Sequence, residues 1–109
     1  MLVVDDDALL RRAFERALAA RFDVDTVETV AQARAAVERG GVGVVICDWD
    51  LGDERGDDFL RELRASHPEI RALLVSGSDP AQVSWQPFLR KPVTPEQLIT
   101  EIDRMLATV

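Results

Sequence analysis

Tyrosine is absent, and lysine, cysteine and histidine occur once each in this 109-residue chain. No apolar run approaches the roughly 20 residues of a membrane span. With Cys47 alone, no internal disulfide can form, and a reducing compartment is the natural reading. No basic-then-apolar leader opens the chain, so the expectation is a soluble, cytoplasmic domain with no membrane attachment. Positive charge is scarce as well. Thirteen basic residues face twenty acidic ones, a net charge of −7. Phosphate backbones require clustered Lys and Arg, so this balance argues against direct nucleic-acid binding. It suits metal cations or basic partner surfaces. Repeats, low-complexity tracts and linkers are also missing. What remains is one domain over residues 1–109, with 47% hydrophobic residues, enough for a real core.

The apolar segments alternate with amphipathic ones. Leu2-Val3-Val4 predicts a short buried strand that stops against Asp5, Asp6 and Asp7. Asp7 can cap a helix whose apolar stripe is Leu9, Leu10, Ala13, Phe14, Ala17 and Leu18. A β-rich stretch from Phe22 to Val27 follows. Thr29 and Gln32 have the spacing of a capping box, and Gly40-Gly41 ends the helix they open. Val42 to Cys47 is a second apolar strand ending in acid, at Asp48. Asp57 and Asp58 favour a helix start that buries Phe59, Leu60 and Leu63, and Pro68 closes it. Ile70 to Val75 predicts the next strand, before Ser76-Gly77, and Phe88 to Arg90 a brief last one. Thr94-Pro95-Glu96-Gln97 is a further capping box, leading into Leu98, Ile99, Ile102, Met105 and Leu106. Strand and helix thus alternate about five times, with strands apolar throughout. That predicts an α/β fold, a doubly wound parallel sheet with helices on both faces.

Open parallel sheets carry their sites at the carboxyl ends of the strands. Those ends are Asp5-Asp6, Asp48, Ser76 and Lys91 in turn. Carboxylates brought within a few ångströms repel one another, and a hard divalent cation relieves that repulsion. All-oxygen ligation suits Mg2+. Lys91 is the sole lysine beside twelve arginines, a compact charge able to pair with a carboxylate or a phosphate oxygen. Ser76 adds a hydroxyl able to hydrogen-bond an anion. Together these residues describe a site for a phosphoryl group on a carboxylate.

Four segments carry a family resemblance: Val3-Val4-Asp5-Asp6-Asp7, Val45-Ile46-Cys47-Asp48-Trp49-Asp50-Leu51, Val75-Ser76-Gly77 and Phe88-Leu89-Arg90-Lys91-Pro92. Each alone is weak. In this order, at successive strand ends, they are highly specific. The chain resembles the receiver domain of bacterial two-component response regulators and hybrid sensor kinases over essentially its whole length. The resemblance implies a flavodoxin-like (βα)5 fold with strand order 2-1-3-4-5. It implies that Asp48 is the phosphoacceptor, phosphorylated by a sensor histidine kinase or a histidine phosphotransfer domain. Asp5, Asp6, Asp48 and the backbone carbonyl of Asp50 become the Mg2+ ligands. Ser76 and Lys91 become the groups that meet the phosphoryl oxygens, and Ser76 and Phe88 the switch pair. Pro92 matches a proline that follows the lysine, often across a cis bond. Such a domain is no enzyme in the ordinary sense, since it catalyses only its own phosphorylation and dephosphorylation.

The chain also departs from the pattern. Fourteen residues separate Ser76 from Lys91, interrupted by Pro80 and Pro87, so the fourth helix is expected to be shortened to about two turns between Pro80 and Trp85. Leu51-Gly52 stands where Met-Pro is common, and Arg55 where an aspartate usually precedes the glycine. A short fourth helix removes part of the usual dimerisation face, which predicts a monomer or weak dimer. The first strand is short, which raises the expectation of residues missing ahead of Met1. Two rival functions compete with phosphoacceptance. One is a phosphate-independent interaction module on the same fold, whose usual mark, a lost acid or lysine, is absent. The other is a fragment of a haloacid dehalogenase-type phosphatase, suggested by Asp48-Trp49-Asp50. That motif belongs on a first strand, with threonine where this chain has Gly52. Elsewhere the plain readings stand: Cys47 as a small buried apolar residue, His67 as a solvated helix end, Asp53, Glu54, Asp57 and Asp58 as a solvated loop and helix start, and Trp85 as a packing residue.

Overall fold

A computed structural model describes residues 1–52, 54–77, 85 and 87–107. The elements run β1 (Leu2–Val4), α1 (Ala8–Leu18), β2 (Asp25–Val27), α2 (Val30–Glu38), β3 (Val44–Asp48), β4 (Asp50–Leu51), β5 (Glu54–Arg55), α3 (Gly56–Ser66), β6 (Arg71–Ser76), β7 (Phe88–Arg90) and α4 (Pro95–Ala107). Five strands form one sheet in the order β2-β1-β3-β6-β7, every pairing parallel. Counting only these five, the order is 2-1-3-4-5, the flavodoxin-like arrangement. The expected shortened helix between Pro80 and Trp85 lies almost wholly outside the described residues.

The helices begin where their caps dictate. The Asp7 carboxylate accepts from the Leu9 and Leu10 amides at 2.9 and 3.3 Å, satisfying donors that the first turn leaves open. Both capping boxes form. Gln32 N–H donates to Thr29 Oγ1 at 3.1 Å and Thr29 N–H to Gln32 Oε1 at 3.3 Å. The Thr94–Gln97 pair repeats this at 3.1 and 2.9 Å. After α2 the chain turns through Gly40 and Gly41 at φ 86° and 83°, a conformation that a Cβ disfavours.

Two apolar layers sandwich the sheet. Val3, Val44, Ile46, Leu73 and Val75 face Phe14 and Leu18 of α1 and Leu98, Ile102 and Met105 of α4. Leu2, Val4, Val45, Cys47 and Leu74 face Val30, Ala33 and Val37 of α2, with Phe59, Leu60 and Leu63 of α3. Burying each larger side chain contributes about 1.5–3 kcal/mol. Sequence and structure part in several places. Leu9 and Ala13, expected in the α1 stripe, are exposed, Leu9 at 73%, and so is Leu106, expected in the apolar face of α4, at 44%; the strips that meet the sheet are filled by Phe14 and Leu18 and by Leu98, Ile102 and Met105. The edge strands β2 and β7 are only half-covered, so continuous burial holds for the inner strands alone. Asp57, expected in solvent, is buried. A small antiparallel hairpin, β4 with β5, was not anticipated; it pairs Asp50 with Arg55 and Leu51 with Glu54.

Candidate functional site

Strand register brings the site together. Val3 pairs with Ile46 and Val4 with Cys47, so Asp5 and Asp48 leave the sheet on adjacent strands. Asp48 pairs with Val75, and Ser76 with Arg90, placing Ser76 and Lys91 on the same rim. Because strand side chains alternate, Asp5, Asp48 and Lys91 follow Val3, Ile46 and Leu89 on the face covered by α1 and α4. Ser76 follows Leu74 on the opposite face, the face against which Phe88 packs.

The rim is a shallow cleft of about 340 Å³ lined by Asp5, Asp6, Asp7, Asp48, Asp50, Ser76, Gly77 and Lys91. Asp5, Asp48 and Ser76 are buried, whereas Asp6 is exposed. A larger hollow of about 380 Å³ lies at the other end of β6, around Ala72 and Trp85, and contains none of these acids. Size therefore does not mark the site; converging polar groups do.

Each group is held by the fold. Asp5 accepts from the Asp7 amide at 2.9 Å, and its backbone carbonyl accepts from Arg11 Nη1 at 2.8 Å. The Asp5 amide donates to Val27 O at 3.1 Å and the Lys91 amide to Ser76 O at 2.8 Å. Lys91 Nζ stands 3.3 Å from Asp5 Oδ2 and 3.3 Å from Asp48 Oδ1. The Lys91–Pro92 bond is cis. Burial, and then the neighbouring Asp5 charge, push the Asp48 carboxyl up to about 6; Lys91 and the Asp50 amide pull the other way. Burial also works against the Lys91 ammonium, but the two carboxylates, Asp48 foremost, outweigh it and hold its pKa above the ordinary range.

One ligand oxygen from each of Asp5, Asp6 and Asp48 can lie within 4.8 Å of the others. Three carboxylates with one ammonium leave excess negative charge in a half-dry site. A hard divalent cation with oxygen ligands fits this donor set. Cys47 supplies no ligand: its side chain faces the α2–α3 layer, donates to Asp48 O at 3.3 Å, and burial pushes its thiol far above the ordinary range.

All the sequence-derived residues at the rim, Asp5, Asp6, Asp48, Asp50, Ser76 and Lys91, line one cleft. Phe88 lies outside it, half-buried and paired with Leu74. Sequence reasoning passed over Arg11, whose guanidinium reaches the Asp5 carbonyl. It also passed over Gly56, for which the sequence carries no signal, since glycine is an ordinary residue at a helix start.

Fold, register and acidic rim define a doubly wound domain with an acidic cleft at its strand ends. Residues 1–103 match the response regulator receiver domain family, and the chain belongs to it. Among curated proteins it is similar to the hydrogenase transcriptional regulatory protein HoxA of Cupriavidus necator, 32% identical over 94% of this chain and 23% of that protein. It is also similar to the sensor kinase CckA of Brucella abortus, 32% identical over 97% of this chain and 12% of that protein. The chain thus spans about a quarter or less of these relatives. Among solved structures, the receiver domain of NtrX from Brucella abortus superimposes with a TM-score of 0.90 at 25% identity, covering 99% of this chain and 98% of that one. This is a receiver domain of the two-component response regulators, and the dehalogenase-type alternative falls away. No helix among the described residues is long and apolar enough to cross a membrane.

Proposed function

We propose that Asp48 accepts a phosphoryl group from the phosphohistidine of a sensor histidine kinase or a histidine phosphotransfer domain. The observation that carries this reading is the convergence of Asp48, Lys91 and the Asp5–Asp6 pair in one cleft. A carboxylate oxygen of Asp48 attacks phosphorus, the phosphorus–nitrogen bond breaks, and the imidazole leaves, so that an acyl phosphate forms. Lys91 already bridges Asp5 and Asp48 at 3.3 Å, and it can follow the charge onto a phosphoryl oxygen. Ser76, at the end of β6, offers its hydroxyl to another.

Asp5, Asp6, Asp48 and the Asp50 carbonyl would hold Mg2+, which neutralises charge on the transferring group. Asp48 then has to be ionised, and both a bound cation and Lys91 favour that form. The new group carries about two negative charges. Drawing Ser76 towards it vacates space on the face where Phe88 packs, and Phe88 turning inward would alter the surface around β7. The domain catalyses only its own phosphorylation and dephosphorylation. It functions in the cytoplasm as a monomer or weak dimer, without touching nucleic acid itself, over residues 1–109. Any DNA-binding or kinase activity would belong to segments attached to it.

Labelling with acetyl phosphate tests the reading. Wild type should take one alkali-labile, magnesium-dependent phosphoryl group, and Asp48→Asn should take none while keeping its circular dichroism. Undiminished labelling of Asp48→Asn would overturn the assignment. A wild type that binds its partner equally well with and without label would favour the phosphate-independent module.

A further inference from the structure

At the first residue of α3 the packing leaves no room for a side chain. A Cβ on Gly56 would collide with the carbonyl oxygen of Asp48, and would lie 2.8 Å from its carbonyl carbon and 3.0 Å from Cys47 Sγ. The other five glycines would meet nothing within 4 Å. The crowding thus falls on one glycine, and it falls on the backbone of Asp48.

The close approach has a consequence for the peptide that follows Asp48. Gly56 N–H donates to Trp49 O at 2.7 Å, and Trp49 N–H donates to Val75 O at 2.9 Å. Trp49 is therefore held on one side by β6 and on the other by α3. The next residue, Asp50, lines the acidic cleft beside Asp48. From Asp50 the chain returns through the hairpin, Asp50 opposite Arg55, and the Arg55 guanidinium lies 5.0 Å above the Trp49 ring. None of this serves the helix itself. The helix start has no side-chain cap at Arg55 either.

We infer that Gly56 is a positioning residue for the acidic cleft: its missing side chain lets α3 close on the Asp48 carbonyl and fix the Trp49–Asp50 backbone where Asp50 lines the cleft. This rests on Asp48 as phosphoacceptor and adds a residue outside the cleft on which that chemistry depends. A methyl group at position 56 has to push α3 away from β3, because a backbone carbonyl cannot rotate aside as a flexible side chain can. Lengthening the Gly56–Trp49 hydrogen bond then loosens Asp50 at the rim of the cleft.

The test uses the whole chain and two readouts. Gly56→Ala is expected to keep the wild-type circular dichroism at low temperature. Its saturating labelling rate, per folded molecule, should fall at least tenfold. Its half-saturation with magnesium chloride, by titration calorimetry on unphosphorylated protein, should rise at least threefold. Gly43→Ala, at an exposed glycine with open space around it, should match wild type in both. Loss of stability alone would leave the magnesium half-saturation of the folded molecules unmoved. A folded Gly56→Ala with wild-type rate and magnesium affinity overturns the assignment. Should Gly56→Ala fail to fold, Arg55→Ala decides, since it loosens Trp49 from the exposed side: a threefold slower rate supports the assignment, and a wild-type rate and affinity overturn it. If wild type takes no label, it is the phosphoacceptor reading that fails, and the magnesium titration still decides the role of Gly56.

Discussion

At one end of β6, Ser76 lies buried beside two buried carboxylates and the Lys91 ammonium. At the other end, the indole N–H of Trp85 donates to Ala72 O at 3.2 Å, and the Arg64 guanidinium covers the Trp85 ring at 3.8 Å. Both ends bury polar atoms, but the balance differs. The Trp85 end pairs a neutral donor with a backbone acceptor and fills its surroundings with Leu60, Leu63 and Ala72, so packing and hydrogen bonding act together. The acidic end gathers like charges, and its one lysine offsets only part of their repulsion. Packing and a satisfied hydrogen bond mark the first end, and like charges only partly offset by Lys91 mark the second.

Substitutions at the two ends should break this contrast by different amounts. Trp85→Ala should cost the most, about 3–5 kcal/mol in urea unfolding, since a large ring only 3% exposed leaves a cavity. Destabilisation below about 1 kcal/mol would mean that the Trp85 end does not anchor the fold.

At the acidic end, magnesium at ten times its dissociation constant should stabilise wild type by about 1.4 kcal/mol, by mass action. The rise in melting temperature should largely disappear in Asp6→Ala. That variant should match or exceed wild type in stability without metal, because one of three neighbouring carboxylates is gone. An undiminished magnesium response would remove Asp6 from the ligand set.

The pH dependence follows from Asp48. Its carboxyl titrates near 6 in the folded protein against an ordinary 3.8, so between those values the folded state binds a proton that the unfolded chain has released. Its contribution therefore opposes folding above pH 6, and the opposition fades as pH falls through 6 towards 4. Metal-free wild type should gain about 1 kcal/mol relative to Asp48→Asn between pH 7 and pH 5. A parallel pH dependence of the two proteins would contradict the raised value.

The smallest effect belongs to Arg64→Ala. An exposed guanidinium over an aromatic ring contributes about 0.5–1 kcal/mol, so urea unfolding should shift by no more than that. A larger shift would show Arg64 to be part of the core that Trp85 anchors.

The five strands of the main sheet, their order of appearance and the capped helices were legible because local chemistry writes them. Asp7 and the Thr29–Gln32 and Thr94–Gln97 pairs satisfy amides within a turn of themselves, so spacing alone identifies them. Leu9 was misread because a helical stripe is wider in sequence than the strip of helix that touches the sheet. Asp57 was misread because acidity at a helix start describes the helix, not what packs over it; here Asp57 lies within 3.3 Å of Arg61 Nη2, in the buried turn where α3 meets β3.

By itself, the sequence determined that acids, a serine and a lone lysine would stand at successive strand ends, since hydrophobic strands must stop where charge begins. Tertiary structure decided which of those ends are neighbours, and at what distance. Asp5 and Lys91 are separated by 86 positions yet meet at 3.3 Å, because parallel pairing sets β1, β3, β6 and β7 side by side with their carboxyl ends on one rim. Packing likewise decided the role of Gly56. A glycine written in a sequence says only that a side chain is absent, and it takes the carbonyl of Asp48 pressed against that position to say why.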